Sequence, residues 1–214
     1  MNETPVRVRV TYAKGGNLRF IGHLDTQRMF ERALRRSKLP LRYTQGFNKH
    51  LRINLASALP LGFTSVAEML DFWMNEPLEP DLIRARLIKS LPAEIKLLDV
   101  RLIENNLPSL QGSLVASEYE ITFPDHLPAR QMENSLEEIL RGESIPITRR
   151  GKSIDLKPMI LDYIFTETEK NQPLLRIRMS SSASANARPD DLLEKMGLDP
   201  AECKVERTKL IFKE

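Results

Sequence analysis

Val6-Arg7-Val8-Arg9-Val10-Thr11-Tyr12 alternates apolar and polar side chains with a period of two. Val6, Val8, Val10 and Tyr12 fall on one face, and Arg7, Arg9 and Thr11 on the other, which defines a half-buried β-strand. Lys14-Gly15-Gly16-Asn17 ends it in a turn, and Leu18 to Ile21 extends it or pairs locally. From about His23 to Lys38 the apolar period changes to that of a helix, with Phe30, Ala33, Leu34 and Ser37 inside and Pro40 as the stop.

Working outward, residues 41–45 read as a short strand and Gly46-Phe47-Asn48 as a turn or bulge. Leu51, Ile53 and Leu55 alternate with Arg52, Asn54 and Ala56 as a further strand. Residues 66–74 are apolar on both faces, as in a central strand. Pro77 and Pro80 introduce a helix with Ile83, Leu87 and Leu91 on one side, and residues 94–104 close with a strand. The order β-α-β-β-α-β is the split βαβ, or ferredoxin-like, pattern.

Residues 106–113 have linker composition. The same order then recurs. Tyr119, Ile121 and Phe123 mark a strand, and Pro128 opens a helix carrying Met132, Leu136, Ile139 and Leu140. Strands follow near 145–149, 158–167 and 174–180, then a short helix from Pro189 to Gly197 and a strand over 203–213. The expected fold is therefore α+β, with two tandem ferredoxin-like (βαββαβ) domains at 1–105 and 114–214.

Composition narrows function. The 214 residues suit two domains of about 100 each. No apolar run approaches the ~20 residues that cross a bilayer, and the first ten residues lack the apolar core of a signal peptide. The single cysteine, Cys203, excludes an internal disulfide and a cluster held by cysteines alone. A cytoplasmic protein without membrane contact is expected. Residues 1–60 hold twelve basic and three acidic side chains, a balance of +9, which leaves −6 for the other 154. That asymmetry points to a polyanion or an acidic partner for the first domain.

Three constellations could carry chemistry. Arg28, Arg32, Arg35 and Arg36 form a stripe at i, i+4, i+7 and i+8, with Glu31 as a local acidic neighbour. Guanidinium forks suit phosphates, whereas the structural alternative is a solvated helix face. Tyr43-Thr44-Gln45-Gly46-Phe47-Asn48-Lys49-His50, followed by Arg52, interleaves aromatics and cations as single-stranded RNA sites do. In the alternative, Tyr43 and Phe47 belong to the core and Gly46 supplies a positive φ. His23, at the helix start, either caps the helix or contacts phosphate, where it could act as general acid or base. With Asp25 and His50 it could form a metal site only if folding brought the three together. The spacing does not demand this, and neither a metal nor any other cofactor is expected. No Walker loop, G-x-G-x-x-G, G-x-S-x-G or paired-cysteine motif is present.

Phe20-Ile21-Gly22-His23-Leu24-Asp25, Arg32-Ala33-Leu34-Arg35-Arg36, Gln45-Gly46-Phe47-Asn48, His50 and Leu59-Pro60-Leu61-Gly62 together resemble the bacterial radical-SAM-linked protein family. Asp155-Leu156-Lys157-Pro158 and Arg188-Pro189-Asp190 resemble its second half, and Lys49 stands where the family pattern has proline. Members occur alone or fused behind a radical SAM enzyme. The resemblance implies such an enzyme as partner and RNA as substrate. It supplies no activity. A looser, architectural resemblance is to CRISPR repeat-processing endoribonucleases, which carry a late glycine-rich loop where residues 197–205 show only Gly197. The expected function is an RNA-binding or substrate-presenting accessory protein. Arg28, Arg32, Arg35, Arg36, Tyr43, Phe47, Lys49, His50, Arg52 and His23 would form its RNA surface. The alternatives are a metal-independent endoribonuclease using His23, and a pure protein-interaction module.

Overall fold

The computed structural model describes residues 4–169, 172–182 and 185–213. Residues 1–3, part of the ten read above for a signal peptide, lie outside them, as do 170–171, 183–184 and 214. The chain is α+β and divides into two compact units, residues 1–113 and 114–214.

In the first unit the elements are β1 (Val6–Lys14), α1 (His23–Arg36), β2 (Ile53–Leu55), β3 (Thr64–Met74), α2 (Pro80–Ile88), β4 (Ile95–Ile103) and a helical turn, α3 (Leu110–Ser113). β1 lies between β4 and β3, and β2 pairs with the other side of β3, all antiparallel. Register places Val8 opposite Phe72 and Val10 opposite Leu70, so these side chains share the face that α1 covers. Phe30 of α1 meets Tyr12 edge-on at 4.6 Å between ring centroids. Leu34 and, from α2, Ile83 and Leu87 complete this core. The α1 helix stops before Pro40 is reached. The Ser37 amide donates to the Ala33 carbonyl (3.0 Å), its hydroxyl to the Leu34 carbonyl (2.6 Å), and Lys38 turns to φ +55°.

Several expectations need correction. Residues 41–45 form no regular strand, because Leu41 and Tyr43 make only isolated bridges, to Met74 and Leu51. The polar face of β1 is not solvated. Arg7 is 3% exposed and Asp71 is fully buried. Arg7 Nε and Nη2 donate to Asp71 Oδ2 at 2.9 and 2.5 Å, and Arg9 Nε donates to Oδ1 at 2.8 Å. Residues 106–113 fall within the first unit. The Leu107 and Pro108 carbonyls accept from Arg7 at 2.6 and 2.9 Å, and Leu110 is fully buried.

The second unit contains β5 (Leu114–Thr122), α4 (Ala129–Arg141), β6 (Pro146–Arg149), β7 (Lys152–Asp155), β8 (Ile160–Glu167), β9 (Pro173–Ser180), α5 (Pro189–Lys195) and β10 (Lys204–Phe212). Its strands run β10-β5-β9-β8, again antiparallel. Met132 and Leu136 of α4 and Leu192 and Leu193 of α5 are buried, as are Tyr119, Ile121, Leu175 and Ile177 of the strands. The β6–β7 hairpin interrupts the expected element order. Arg150 and Gly151 at its turn take φ +50° and +76°, the two positive values that a tight two-residue hairpin requires. On β5 and β9, Glu118–Arg178 and Glu120–Arg176 form exposed cross-strand ion pairs.

At the start of α5 one carboxylate oxygen, Asp190 Oδ1, is buried without a hydrogen-bond partner. Burial first, and then the Asp191 charge, raises the Asp190 pKa above the usual carboxylate value. The folded state therefore holds the proton more tightly than the unfolded state. Stability from this group is greatest at low pH and declines as pH rises through the folded pKa. Replacing Asp190 with Asn should raise the melting temperature at neutral pH, and the gain should vanish in acid. Melts of both proteins across pH test this, and a loss at neutral pH would contradict it. Burial and the neighbouring Glu202 and Asp199 charges push the Cys203 thiol up to about 11, so it stays protonated and unreactive near neutrality.

Candidate functional site

The segment between α1 and β3 builds an irregular arm on the first unit. The Arg42 amide donates to the Trp73 carbonyl at 2.8 Å and the Trp73 amide to the Arg52 carbonyl at 3.3 Å, which anchors both ends of the arm to β3. The Arg52 amide donates to the Arg42 carbonyl at 3.1 Å, and Tyr43 bridges Leu51. The Thr44 amide donates to the His50 carbonyl (2.8 Å) and the His50 amide to Thr44 Oγ1 (3.0 Å). These bonds close the tip, residues 45–49, where Gly46 takes φ +125°, a conformation open to glycine.

Every residue from Tyr43 to His50 is exposed. Phe47 makes no core contact at all, being fully exposed, and Tyr43 is 38% exposed. The core alternative is therefore excluded for Phe47, whereas Tyr43 is part-covered beside Leu51. Lys49 and His50 stand beside them, also in solvent.

The base of the arm sets Arg52, named from the sequence, against Trp73 and Arg7, which sequence reasoning passed over as site residues. The Arg52 guanidinium lies 4.1 Å from the Trp73 ring centroid and that of Arg7 lies 5.4 Å from it. Burial, then the like charges of Arg42 and Arg7, lowers the Arg52 pKa below the usual guanidinium range. Cations are thus gathered here against their mutual repulsion, with Asp71 bonded to Arg7 and Arg9. The available signal was Trp73, the one tryptophan of the chain, near the end of an apolar strand with two arginines flanking the arm.

All four stripe arginines are exposed along α1. Arg28 pairs with Asp25 (3.3 Å) as well as Arg35 with Glu31 (3.7 Å), so Glu31 is not the sole local acid. Arg36 Nη2 donates to the Ser90 carbonyl at 2.6 Å and so ties α1 to the segment after α2. Arg32 makes no hydrogen bond or ion pair with the described residues. The stripe therefore leaves Arg28, Arg32 and Arg35 on the exposed surface of α1, while Arg36 bonds the segment after α2.

His23 does not cap α1. Gly22 is the N-cap residue, with no side-chain capping bond, and His23 is the first helical residue. Its side chain instead lines a small cleft with Tyr12, Lys14, Thr26, Leu55, Ser57, Leu59 and Glu68. Asp25 and His50 do not join it, and no group of three His, Cys, Asp or Glu among the described residues could hold a metal ion.

Among the described residues no helix is long and apolar enough to cross a membrane. The first unit is thus defined by an α+β scaffold that exposes an arginine face and an aromatic, cationic arm. The family described as "Uncharacterized protein conserved in bacteria (DUF2344)" matches residues 7–189, and the chain belongs to that family. No curated protein matches it. Among solved structures, a chain of "Crystal Structure of a Cbf5-Nop10-Gar1 Complex" is similar at 12% identity and a TM-score of 0.50. The match covers 95% of this chain and 48% of that one, so this chain spans about half the length of its structural relative. The likeness is one of fold. A putative dyp-type peroxidase protein from Shewanella oneidensis (12% identity, TM-score 0.23, covering 92% and 83%) carries no argument at that score. The same holds for DyPB from Rhodococcus jostii RHA1 (9%, 0.23, 92% and 84%).

Proposed function

We propose that this chain is an RNA-binding or substrate-presenting accessory protein of the cytoplasm that works with a radical SAM enzyme in RNA modification or processing. The observation that carries the RNA part is the exposed arm. An aromatic with no contact to the core, a second aromatic, and Lys49, His50 and Arg52 within one closed loop are what base stacking plus phosphate neutralisation require. The arginine stripe of α1 adds sequence-independent phosphate contacts. The enzyme partner rests on the family resemblance of the motifs around His23 and Phe47. The element and strand orders of both units support reading them as two tandem ferredoxin-like folds, the second with a hairpin inserted after its first helix.

The test is ultraviolet crosslinking of RNA that copurifies with the native full chain, with the crosslinked peptides mapped. Crosslinks should fall on Tyr43, Phe47 and the α1 arginines, and the recovered RNA should be intact. Crosslinks confined to residues 114–213, or none, would overturn the reading. Site-specific cleavage that disappears in His23→Ala would replace it with the endoribonuclease.

A further inference from the structure

β8 ends the strand order of the second unit, and among the described residues it pairs with β9 alone. An edge strand presents a row of backbone N–H and C=O groups on its open side, and proteins guard such rows with lysine, proline, bulges or a covering group. β4, which ends the strand order of the first unit, is guarded. Arg84 of α2 donates to the Leu97 and Leu98 carbonyls at 3.2 and 2.5 Å, and Lys96, Asp99 and Arg101 put charge along the strand. β8 holds neither lysine nor proline over residues 160–167. Its register shift falls between Ile160 and Asp162, so residues 162–167 run regularly beside β9.

What β8 exposes is largely apolar, and on both faces. Tyr163 is 41% exposed and Ile164 58%. Tyr163 and Phe165 share a face with Ile177 and Leu175 of β9, and the Phe165 ring meets that of Phe123 at 5.9 Å between centroids. Asp162, Ile164 and Thr166 share the other face with Arg178 and Arg176. A strand of this kind is a template for one more strand.

The strand is complementary to itself. In an antiparallel pair related by a two-fold axis, facing residues point to the same side of the sheet, so the axis passes through a residue. With the axis at Ile164, that side chain faces its own copy, Tyr163 faces Phe165, and Asp162 faces Thr166. Aliphatic meets aliphatic, aromatic meets aromatic, and no carboxylate faces another. Moving the axis one residue either way sets Ile164 against Asp162 or Thr166. Addition of β8 to the β4 edge of another copy would meet Arg84 and run on as a filament, whereas the two-fold pairing closes at two copies.

We propose that β8 is a homodimerisation edge, to which a second copy of this chain adds its own β8, antiparallel, about a two-fold axis at Ile164. The proposal stands independently of the RNA reading.

The test is sedimentation of the full chain across a concentration series. The native chain should pass from monomer to dimer, half-formed on the order of 100 μM, because a contact of one strand edge is small and transient. Ile164→Lys and Ile164→Glu each set like charges face to face at the axis and should raise that midpoint at least about ten-fold. An equal mixture of the two variants should dimerise as readily as the native chain, because opposite charges then meet. Ile164 is exposed, so both variants should melt as the native chain does. A native chain that stays monomeric up to about 1 mM would overturn the proposal, and is the result expected if β8 serves a strand of another protein. A dimer that tolerates both single variants, or a mixture that pairs no better than either alone, would overturn it too.

Discussion

Replacing Asp71 with alanine should cost the first unit about 3–5 kcal/mol, the penalty for leaving a buried charge without its partner. The carboxylate is fully buried in the middle of β3 and accepts four hydrogen bonds, two from Arg7 and two from Arg9. Arg7 is itself 3% exposed and cannot turn to water. Its remaining donors hold the Leu107 and Pro108 carbonyls, so removing its anchor also loosens the segment that leads into α3. Domains of this size are stable by only about 5–15 kcal/mol, so the variant should melt far lower, on the order of 4–8 °C for each kcal/mol. Removing Glu118, whose ion pair with Arg178 is exposed, should cost no more than about 1 kcal/mol. Thermal and urea unfolding of the two variants measure the contrast. Equal small losses would show that the Arg7–Arg9–Asp71 network is not what holds this face of the sheet together.

The triple change Arg28→Gln, Arg32→Gln and Arg35→Gln should do the opposite, leaving the melt nearly unchanged and weakening RNA binding. All three side chains are exposed, and their partners, Asp25 and Glu31, lie on the same helix surface. Surface changes of this kind stay within roughly 0.5 kcal/mol each, and glutamine keeps the helix propensity close to that of arginine. Arg36 is left in place because it bonds the Ser90 carbonyl. Each phosphate that is no longer neutralised should lower the slope of log affinity against log salt by about 0.7 for a single strand, so three arginines together account for about 2. A collapsed melt would assign the stripe to the fold. An unchanged melt with unchanged binding would make it a solvated face.

Which features were legible in sequence follows from how local the governing physics is. The alternation of Val8, Val10 and Tyr12 and the helical spacing of Phe30, Ala33 and Leu34 are properties of neighbouring residues, and they place β1 and α1 where the structure has them. Burial of Arg7 is not local, because it depends on Asp71, 64 residues away, arriving on the adjacent strand. The same holds for the cleft. Tyr12, His23 and Glu68 lie on three separate elements, and only strand register and the start of α1 bring them together. The exposure of Phe47 could not be read either, since an aromatic after a glycine packs inward or outward according to what lies beneath the loop. Trp73, at the base of the arm, has its ring already covered by Arg52 and Arg7. The β6–β7 hairpin was missed for a simpler reason. Its turn signal is Arg150-Gly151, whereas asparagine or aspartate usually precedes the glycine.

The central claim is that the first unit binds RNA through its arm and arginine face. Its most direct test is a titration of the intact chain with a mixed single-stranded RNA pool at low and at moderate salt. RNA should bind at low salt and weaken steeply as salt rises. Failure to bind at low salt, or binding indifferent to salt, would contradict it.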